Sequence, residues 1–421
     1  MTSARRFLYS LEQIGIKLGL EQIRALLNAL GRPDRAYRSL VVAGTNGKGS
    51  VVAMVERGLR AAGYRTGRYT SPHLVDLEER FAIDGAAIDA ASLDEGAARV
   101  QSASAVLPLP PSFFEATTAI ALERFQDARV DVAVLEVGLG GRLDATNVVA
   151  TDAAAITRID FDHAVYLGDQ LDVIAREKAG VIKPGSLVVL ADNLPVVDAV
   201  VAEVCAARGA RLVRSTAGVE VSVIMANGRG RLDLATPRGR YPDLAIALRG
   251  RHQVQNAMAA IRLLEELSAA GTFTIPATAV QIAVEDCVWP GRLELLRAGS
   301  SDVLLDGAHN PGGAAALTAY IRETYGRRLP MVVGIMQDKQ VAAMIAALAP
   351  AASHFVFTAA SNTRAAAAST LAALAATTAP DIPAVCAADS RQALAAAKPL
   401  GTPVVVAGSL YLVGEIRRDL A

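Results

Sequence analysis

Eight short runs of consecutive apolar residues, many of them β-branched, recur along the chain, at 40–43, 130–137, 153–159, 187–190, 303–305, 331–335, 355–358 and 404–407. The apolar positions are consecutive rather than alternating, the mark of strands buried on both faces, as in a parallel sheet covered by helices. Longer Ala- and Leu-rich stretches lie between them. In one, Val51, Val55 and Leu59 recur every fourth residue and Gly63 follows as a stop, predicting a helix with its C-terminal break. The alternation predicts an α/β architecture with right-handed crossovers.

With 421 residues the chain is long enough for two domains. Hydrophobic residues make up 52% of it, which excludes general disorder. The texture changes at 219–248, where Val219, Val221 and Val223, then Leu232 and Leu234, alternate with small or polar residues around Asn227-Gly228-Arg229-Gly230. This predicts an antiparallel hairpin region added to the parallel core. A helix is expected over 255–267, and the Ala-rich stretch 341–400 reads as helix. Val288-Trp289-Pro290-Gly291-Arg292 reads as a hinge, after which strand–helix alternation restarts. The expected domains are therefore 1–290 and 291–421.

Lys plus Arg and Asp plus Glu both total 42, so the formal charge balances and a dedicated nucleic-acid binder is not expected. Cys205, Cys287 and Cys386 are widely spaced and form no CxxC pair, which argues against a disulfide framework or a cysteine zinc site. Glu12, Lys17 and Glu21 interrupt the N-terminal region, and the Ala- and Thr-rich tract 365–379 is too short and too weakly apolar to span a bilayer. The expected protein is cytoplasmic, without membrane or nucleic-acid partners.

The run at 40–43 leads into Gly44-Thr45-Asn46-Gly47-Lys48-Gly49-Ser50 and then into the Val51 helix. A strand, a glycine-rich turn and a helix start make an anion site: backbone N–H groups face the anion and the helix N-terminus adds positive potential. Lys48 suits phosphate neutralisation, and Ser50 suits either a cap or a Mg²⁺ contact. Three residues, not five, separate Gly44 from Lys48, and Gly49 separates Lys48 from the hydroxyl, so the loop departs from the eight-position phosphate-loop pattern. The expected fold is α/β throughout: an N-terminal P-loop-type ATPase domain with a mostly parallel sheet that carries this loop, followed by a smaller Rossmann-like α/β domain.

The form Gly44–Ser50 resembles the nucleotide loop of the Mur ligase superfamily, in its folylpolyglutamate synthase and dihydrofolate synthase branch. Further segments resemble that branch in order: Leu18-Gly19-Leu20-Glu21, Thr70-Ser71-Pro72-His73-Leu74, Phe113-Phe114-Glu115, the run 135–147 (LEVGLGGRLDATN), Asp162-His163, Leu167-Gly168, the run 174–180 (IAREKAG), Asn256, Trp289-Pro290-Gly291-Arg292, and the run 306–311 (DGAHNP). They cover nearly the whole chain. Lys17 stands where some members have an acid.

The resemblance implies an ATP-dependent ligase that joins glutamate to a pterin-bearing acid through an acyl phosphate. Dihydropteroate or reduced folates and L-glutamate are then the substrates, and ATP and two Mg²⁺ ions the cofactors. It implies Gly47, Lys48, Gly49, Ser50, Asn256, Arg292, Asp306 and His309 at the nucleotide, with Asn256 reading adenine. Ser71, Glu136, His163 and Lys178 become metal-side residues, Lys178 as a carbamate, and Lys48, His163 and Lys178 the catalytic set. Lys17, Leu18, Gly19, Leu20, Ser112, Phe113, Phe114, Glu115, Leu143, Asp144 and Ala145 fall on the pterin side. Read without the resemblance, Phe113 and Phe114 serve equally as core packing, and Ser71 as a Ser-Pro turn. Nothing in this set requires a second subunit, so a monomer is expected. Two other readings stay open: a ligase restricted to polyglutamylation, and a nucleotide-binding regulator or NTPase that forms no amide bond.

Overall fold

The computed structural model describes residues 2–15, 17–299 and 301–420. Among the described residues, seventeen strands form three sheets. The first sheet holds β1 (Arg38–Ala43), β2 (Thr66–Tyr69), β3 (Phe81–Ile83), β4 (Ala86–Ala87), β5 (Val132–Glu136), β6 (Thr151–Ile156), β7 (Leu187–Leu190) and β8 (Arg211–Arg214), in the order β4-β3-β2-β5-β1-β6-β7-β8. The pairings from β2 to β8 are parallel, and β3 and β4 turn antiparallel at the edge. All five residues of β5, and all of β1 after Arg38, are buried. Burial on both faces is the reason these segments carry consecutive apolar residues.

β9 (Glu220–Ala226), β10 (Arg229–Ala235) and β11 (Arg240–Arg249) form an antiparallel sheet of three strands. Its inner residues Leu232, Leu234, Tyr241 and Leu244 share one apolar core with Val51, Val55 and Leu59. The third sheet contains β12 (Glu294–Ala298), β13 (Ser301–Leu305), β14 (Leu329–Val333), β15 (Ala352–Phe357), β16 (Ala384–Cys386) and β17 (Val404–Ala407), in the order β12-β13-β17-β14-β15-β16. Only β12 runs antiparallel to its neighbour.

All eight expected strands are present, with ends displaced by a few residues. The run 153–159 pairs only to Ile156, because the chain beyond it leaves the sheet to clamp the glycine-rich loop: Arg158 C=O accepts from the N–H groups of both Thr45 (2.9 Å) and Asn46 (3.1 Å). The helix expected from Val51 begins earlier, at Lys48, and runs to Ala61. The Ala-rich stretch 341–400 is not helix throughout, since β15 and β16 interrupt it. The three residues of β16 are exposed and show no buried-strand pattern. Among the described residues, no helix is long and apolar enough to cross a membrane.

Candidate active site

β1 lies at the point where the first sheet's connections diverge to either side, the position where open α/β sheets bind ligands. Three strand ends meet there: β1 releases the glycine-rich loop, β5 ends in Glu136, and β6 releases the segment 157–163. Gly47 caps the following helix with φ +91°. A side chain there would be strained by that backbone and would also collide with Asn256 Oδ1. The helix Lys48–Ala61 therefore starts with its free N–H groups toward the cavity.

Side chains fix the loop from below. Thr45 Oγ1 donates to Asp160 C=O (3.0 Å) and accepts from Asp160 N–H (3.0 Å). Ser50 Oγ accepts from Gln253 Nε2 (3.2 Å), and Gln253 Oε1 accepts from Asn256 Nδ2 (2.9 Å). Both of these partners lie in the first turns of the helix His252–Ala269. Lys48 Nζ donates to Thr45 C=O (3.1 Å) and lines the cavity.

Glu136 is buried, and its only hydrogen bond among the described residues comes from Ser71 N–H to Oε2 (3.2 Å). Burial pushes its carboxyl above the ordinary range, opposed by the charge of Lys48 and then by the Ser71 bond. Lys178, near the end of the helix Leu171–Ala179, is buried and donates from Nζ to Gly44 C=O (2.8 Å). Burial, then the Lys48 charge, lowers its pKa to about 7. His163 sits in a left-handed backbone conformation (φ +54°), and burial lowers its imidazole to about 4.

The second domain closes the cavity. Asp306 follows β13 and accepts from the backbone N–H groups of Leu293 and Ala308, each at 3.0 Å. Burial raises its carboxyl, against the pull of Arg292. His309 Nδ1 lies 2.7 Å from Gly307 C=O. Together the two domains enclose about 430 Å³, lined by the whole loop Gly44–Ser50 with Ser71, Glu136, His163, Lys178, Asn256, Arg292, Asp306 and His309. That volume suits a nucleotide-sized ligand.

The segments expected on the pterin side do not line this cavity. Ser112 and Glu115 form the capping box of the helix Phe113–Asp127, with Glu115 Oε2 accepting from Ser112 N–H and Oγ, both at 2.8 Å. Asp144 Oδ2 accepts from Gly138 N–H (3.0 Å) and Leu139 N–H (2.8 Å), and its Oδ1 accepts from Thr146. Leu143 is half-buried and Ala145 buried beside it. The Phe113 ring faces Arg80 (5.2 Å) and Tyr9 (6.4 Å). Phe114 packs near Tyr69 (6.0 Å) and against Gly138, which is part of the cavity wall. Lys17 Nζ donates to Pro110 C=O (3.3 Å), Leu18 is exposed, and Leu20 is buried beside Gly19.

Two further residues join the domains here: Asn310, which the sequence placed in the run 306–311 without a role of its own, and Lys339, which it did not single out. Asn310 caps the helix Pro311–Tyr325 through its Oδ1, while its Nδ2 donates to Asn46 Oδ1 (2.9 Å) and Asp162 Oδ2 (3.2 Å). Lys339 Nζ donates to Asp162 Oδ1 at 2.5 Å. The Asn-Pro step at 310–311 signalled the cap, but nothing local marks Lys339.

A divalent metal fits this donor set. No three His, Cys, Asp or Glu side chains cluster as a metal cage among the described residues. Mg²⁺ does not need one, because it binds through one or two carboxylates with water and substrate phosphates completing its shell. Glu136 supplies a buried carboxylate with little hydrogen bonding of its own, within reach of the Lys48 charge.

The fold and the site define an ATP-dependent amide ligase of the Mur type. Residues 112–264 match the Mur ligase middle domain and residues 291–410 the Mur ligase glutamate ligase domain. The dihydrofolate synthase/folylpolyglutamate synthase of Mycobacterium tuberculosis is 38% identical over 370 residues, spanning 82% of this chain and 75% of the relative. The Bacillus subtilis protein of the same description is 32% identical over 432 residues, 99% and 98% of the two chains. Among solved structures, the M. tuberculosis folylpolyglutamate synthase complexed with ADP superposes with a TM-score of 0.93 at 34% identity, covering 100% of this chain and 98% of that one. The Yersinia pestis bifunctional enzyme complexed with AMPPNP and Mn gives 0.86 at 30% identity, with the same coverage. The chain belongs to the dihydrofolate synthase/folylpolyglutamate synthase family.

Proposed function

We propose that the protein joins L-glutamate to dihydropteroate, giving dihydrofolate, and then adds further glutamates to reduced folates. The observation that carries this reading is the single cavity in which the anion loop, Glu136 and Lys178 of one domain face Arg292, Asp306 and His309 of the other. A free carboxylate is a poor electrophile, so the acceptor carboxylate first attacks the γ-phosphorus of ATP and ADP leaves. The glutamate amine then attacks the acyl phosphate, inorganic phosphate leaves, and the amine loses a proton. Lys48 and the loop N–H groups hold the phosphates, and Arg292 meets their charge from the hinge side with its forked donors. Asn256 is assigned to the adenine edge. Asp306 and His309 are assigned to the nucleotide on the second-domain side. Enclosure by the second domain keeps water from the acyl phosphate.

Two Mg²⁺ ions are assigned to the set Ser71, Glu136, His163 and Lys178; bound there, they supply electrostatic stabilisation of the transferring phosphoryl group. A lysine with a pKa near 7 holds a large neutral fraction at neutral pH. That neutrality is the condition for carbamylation by CO₂, which turns Lys178 into an anionic group. A His163 imidazole lowered to about 4 is likewise neutral and free to act as a ligand. The pterin ring is assigned to segments 17–20, 112–115 and 143–145, of which Phe114 and Asp144 reach the cavity wall at Gly138. In this reading the chain divides near residue 290 and works as a cytoplasmic monomer.

The test is incubation with ATP, Mg²⁺ and glutamate, with either dihydropteroate or a reduced folate, followed by mass spectrometry. One glutamyl unit gained on each acceptor supports both activities. Extension of the reduced folate alone replaces this reading with a ligase restricted to polyglutamylation. ATP hydrolysis without amide formation on either acceptor overturns it.

A further inference from the structure

A second cavity, of about 490 Å³, opens on the other side of the reaction centre. The two cavities share Gly49, Ser71, Pro72, Glu136 and Arg292 as a common wall. The second is lined by Arg57, Arg60, Arg68, Arg292 and Arg417 against the acids Glu56, Glu79, Glu136 and Asp286, so the arginines outnumber the carboxylates by one. Three of these arginines are committed to the protein. Arg57 pairs with Asp286 (2.6 Å), Arg60 donates to Asp84 C=O (2.8 Å), and Arg417 pairs with Glu294 (3.0 Å).

Arg68 is different. Its side chain is only 15% exposed, yet its guanidinium makes no hydrogen bond among the described residues. The nearest carboxylate, Glu56 Oε2, stands 3.5 Å away and already shares its charge with Arg60 (3.6 Å), while Glu56 Oε1 accepts from Thr66 (2.7 Å). Arg68 Nε is buried without a partner, an uncommon state for a strong donor, and the long ion pair to Glu56 leaves the fork free to take a second carboxylate. The guanidinium lies 5.2 Å over the ring of Trp289, which fixes its plane. The same indole packs against the anion loop, since a side-chain carbon at Gly49 would fall 2.9 Å from it.

We propose that this second cavity receives the γ-linked glutamyl tail of the acceptor, with Arg68 as the receptor for one of its carboxylates. The inference rests on the ligase reading above. Each round of ligation lengthens the acceptor by one residue and adds one α-carboxylate, while the reacting carboxylate must return to the same place beside Ser71 and Glu136. The surplus length therefore needs a berth that opens directly from that place and tolerates added negative charge. Arg68 meets a carboxylate with a planar fork of donors. The apolar side chains of Ala53, Leu74 and Trp289 accommodate the methylenes between carboxylates.

Trp289 is the only tryptophan of the chain, so intrinsic fluorescence reports on this cavity. The experiment titrates the full-length protein with tri-γ-glutamate, without ATP, metal or any pteroyl compound. The expected result is a saturable change in tryptophan emission for the wild type. The apparent Kd should weaken at least tenfold in Arg68→Met and by an intermediate factor in Arg68→Lys, which keeps the charge but not the fork. Thermal melting of each variant confirms folding, and Arg68→Lys carries the comparison if Arg68→Met does not fold. An equal response in wild type and variants overturns the proposal, as does no saturable change up to on the order of 10 mM. Free L-glutamate, titrated separately, must bind more weakly than the tripeptide. Equal or tighter binding, lost in Arg68→Met, assigns Arg68 to the incoming amino acid and overturns the tail assignment. Because no turnover is involved, a failure of the ligase assay overturns the functional reading without imitating any of these outcomes.

Discussion

Asp162 Oδ1 accepts a hydrogen bond from Lys339 Nζ at 2.5 Å, tying the segment after β6 to the loop after β14 in the other domain. Asp162 Oδ2 also accepts from Asn310 (3.2 Å) and lies 3.6 Å from His309 Nε2. Three groups of the second domain thus converge on one carboxylate of the first.

Lys339→Met should loosen this clasp without emptying it. Removing one charge partner of a nearly buried carboxylate that keeps other donors costs about 1–3 kcal/mol. The expected outcome is a fall in turnover of about tenfold or more, with a lower melting temperature, read by steady-state kinetics and calorimetry. Burial pushes the Asp162 carboxyl up, but His309, His163 and Lys339 together overcome it and hold the group well below the usual carboxylate range. A depressed carboxylate contributes stability that is present above the unfolded pKa, about 3.9, and is lost as pH falls through the folded value. The clasp should therefore survive acidification to about pH 4, which denaturation midpoints measured between pH 7 and 4 would reveal.

Lys178 gives the opposite pH signature. Its folded pKa is lowered to about 7 from an ordinary value of 10.5. A buried ammonium destabilises the fold fully below pH 7, and the penalty fades as pH rises toward 10.5. Lys178→Met should remove that rise in stability and gain on the order of a few kcal/mol at pH 7, while turnover falls at least about a hundredfold. A carbamate carbon signal after equilibration with ¹³C-bicarbonate should appear in the wild type and be missing from the variant. A catalytically inert lysine would leave turnover intact.

Gly47→Ala tests the loop geometry. The backbone at φ +91° and the contact with Asn256 Oδ1 both oppose a side chain. The strain should cost about 1–2 kcal/mol and weaken nucleotide binding about tenfold, measured by calorimetric titration with a non-hydrolysable ATP analogue.

Ser112→Ala separates a cap from a binding contact. Loss of the capping box should lower stability by about 1 kcal/mol in chemical denaturation, and Ser112→Thr should retain most of it. A rise in the KM for dihydropteroate that Ser112→Thr fails to restore would instead mark a direct contact with the acceptor.

The parallel strands were legible because burial on both faces forces consecutive apolar residues, as at Leu40–Ala43 and Val404–Ala407. Edge strands were not: Ala384–Cys386 and Ala86–Ala87 are exposed, so no burial writes a pattern into them. On the site, glycines and a strand–turn–helix order announced the anion loop, since the backbone itself does the binding there. Lys178 and His163 were readable only by resemblance, because burial creates their altered acidity and burial is not local in sequence. Lys339 stands 177 residues from its partner Asp162, and neither side of that pair carries a local signal of the other.

The helix Lys48–Ala61 is buried along ten of its fourteen residues, gripped between the first sheet and the helices His252–Ala269 and Ala277–Glu285, which β11 backs in turn. Such a helix opens only when the whole domain does. The amide hydrogens beyond its first turn should therefore exchange with solvent only through global unfolding, whether or not nucleotide is bound. In the proposed cycle this helix would then serve as a fixed bed for the nucleotide, and any closure would be carried by contacts such as Lys339 with Asp162, which cross to the second domain.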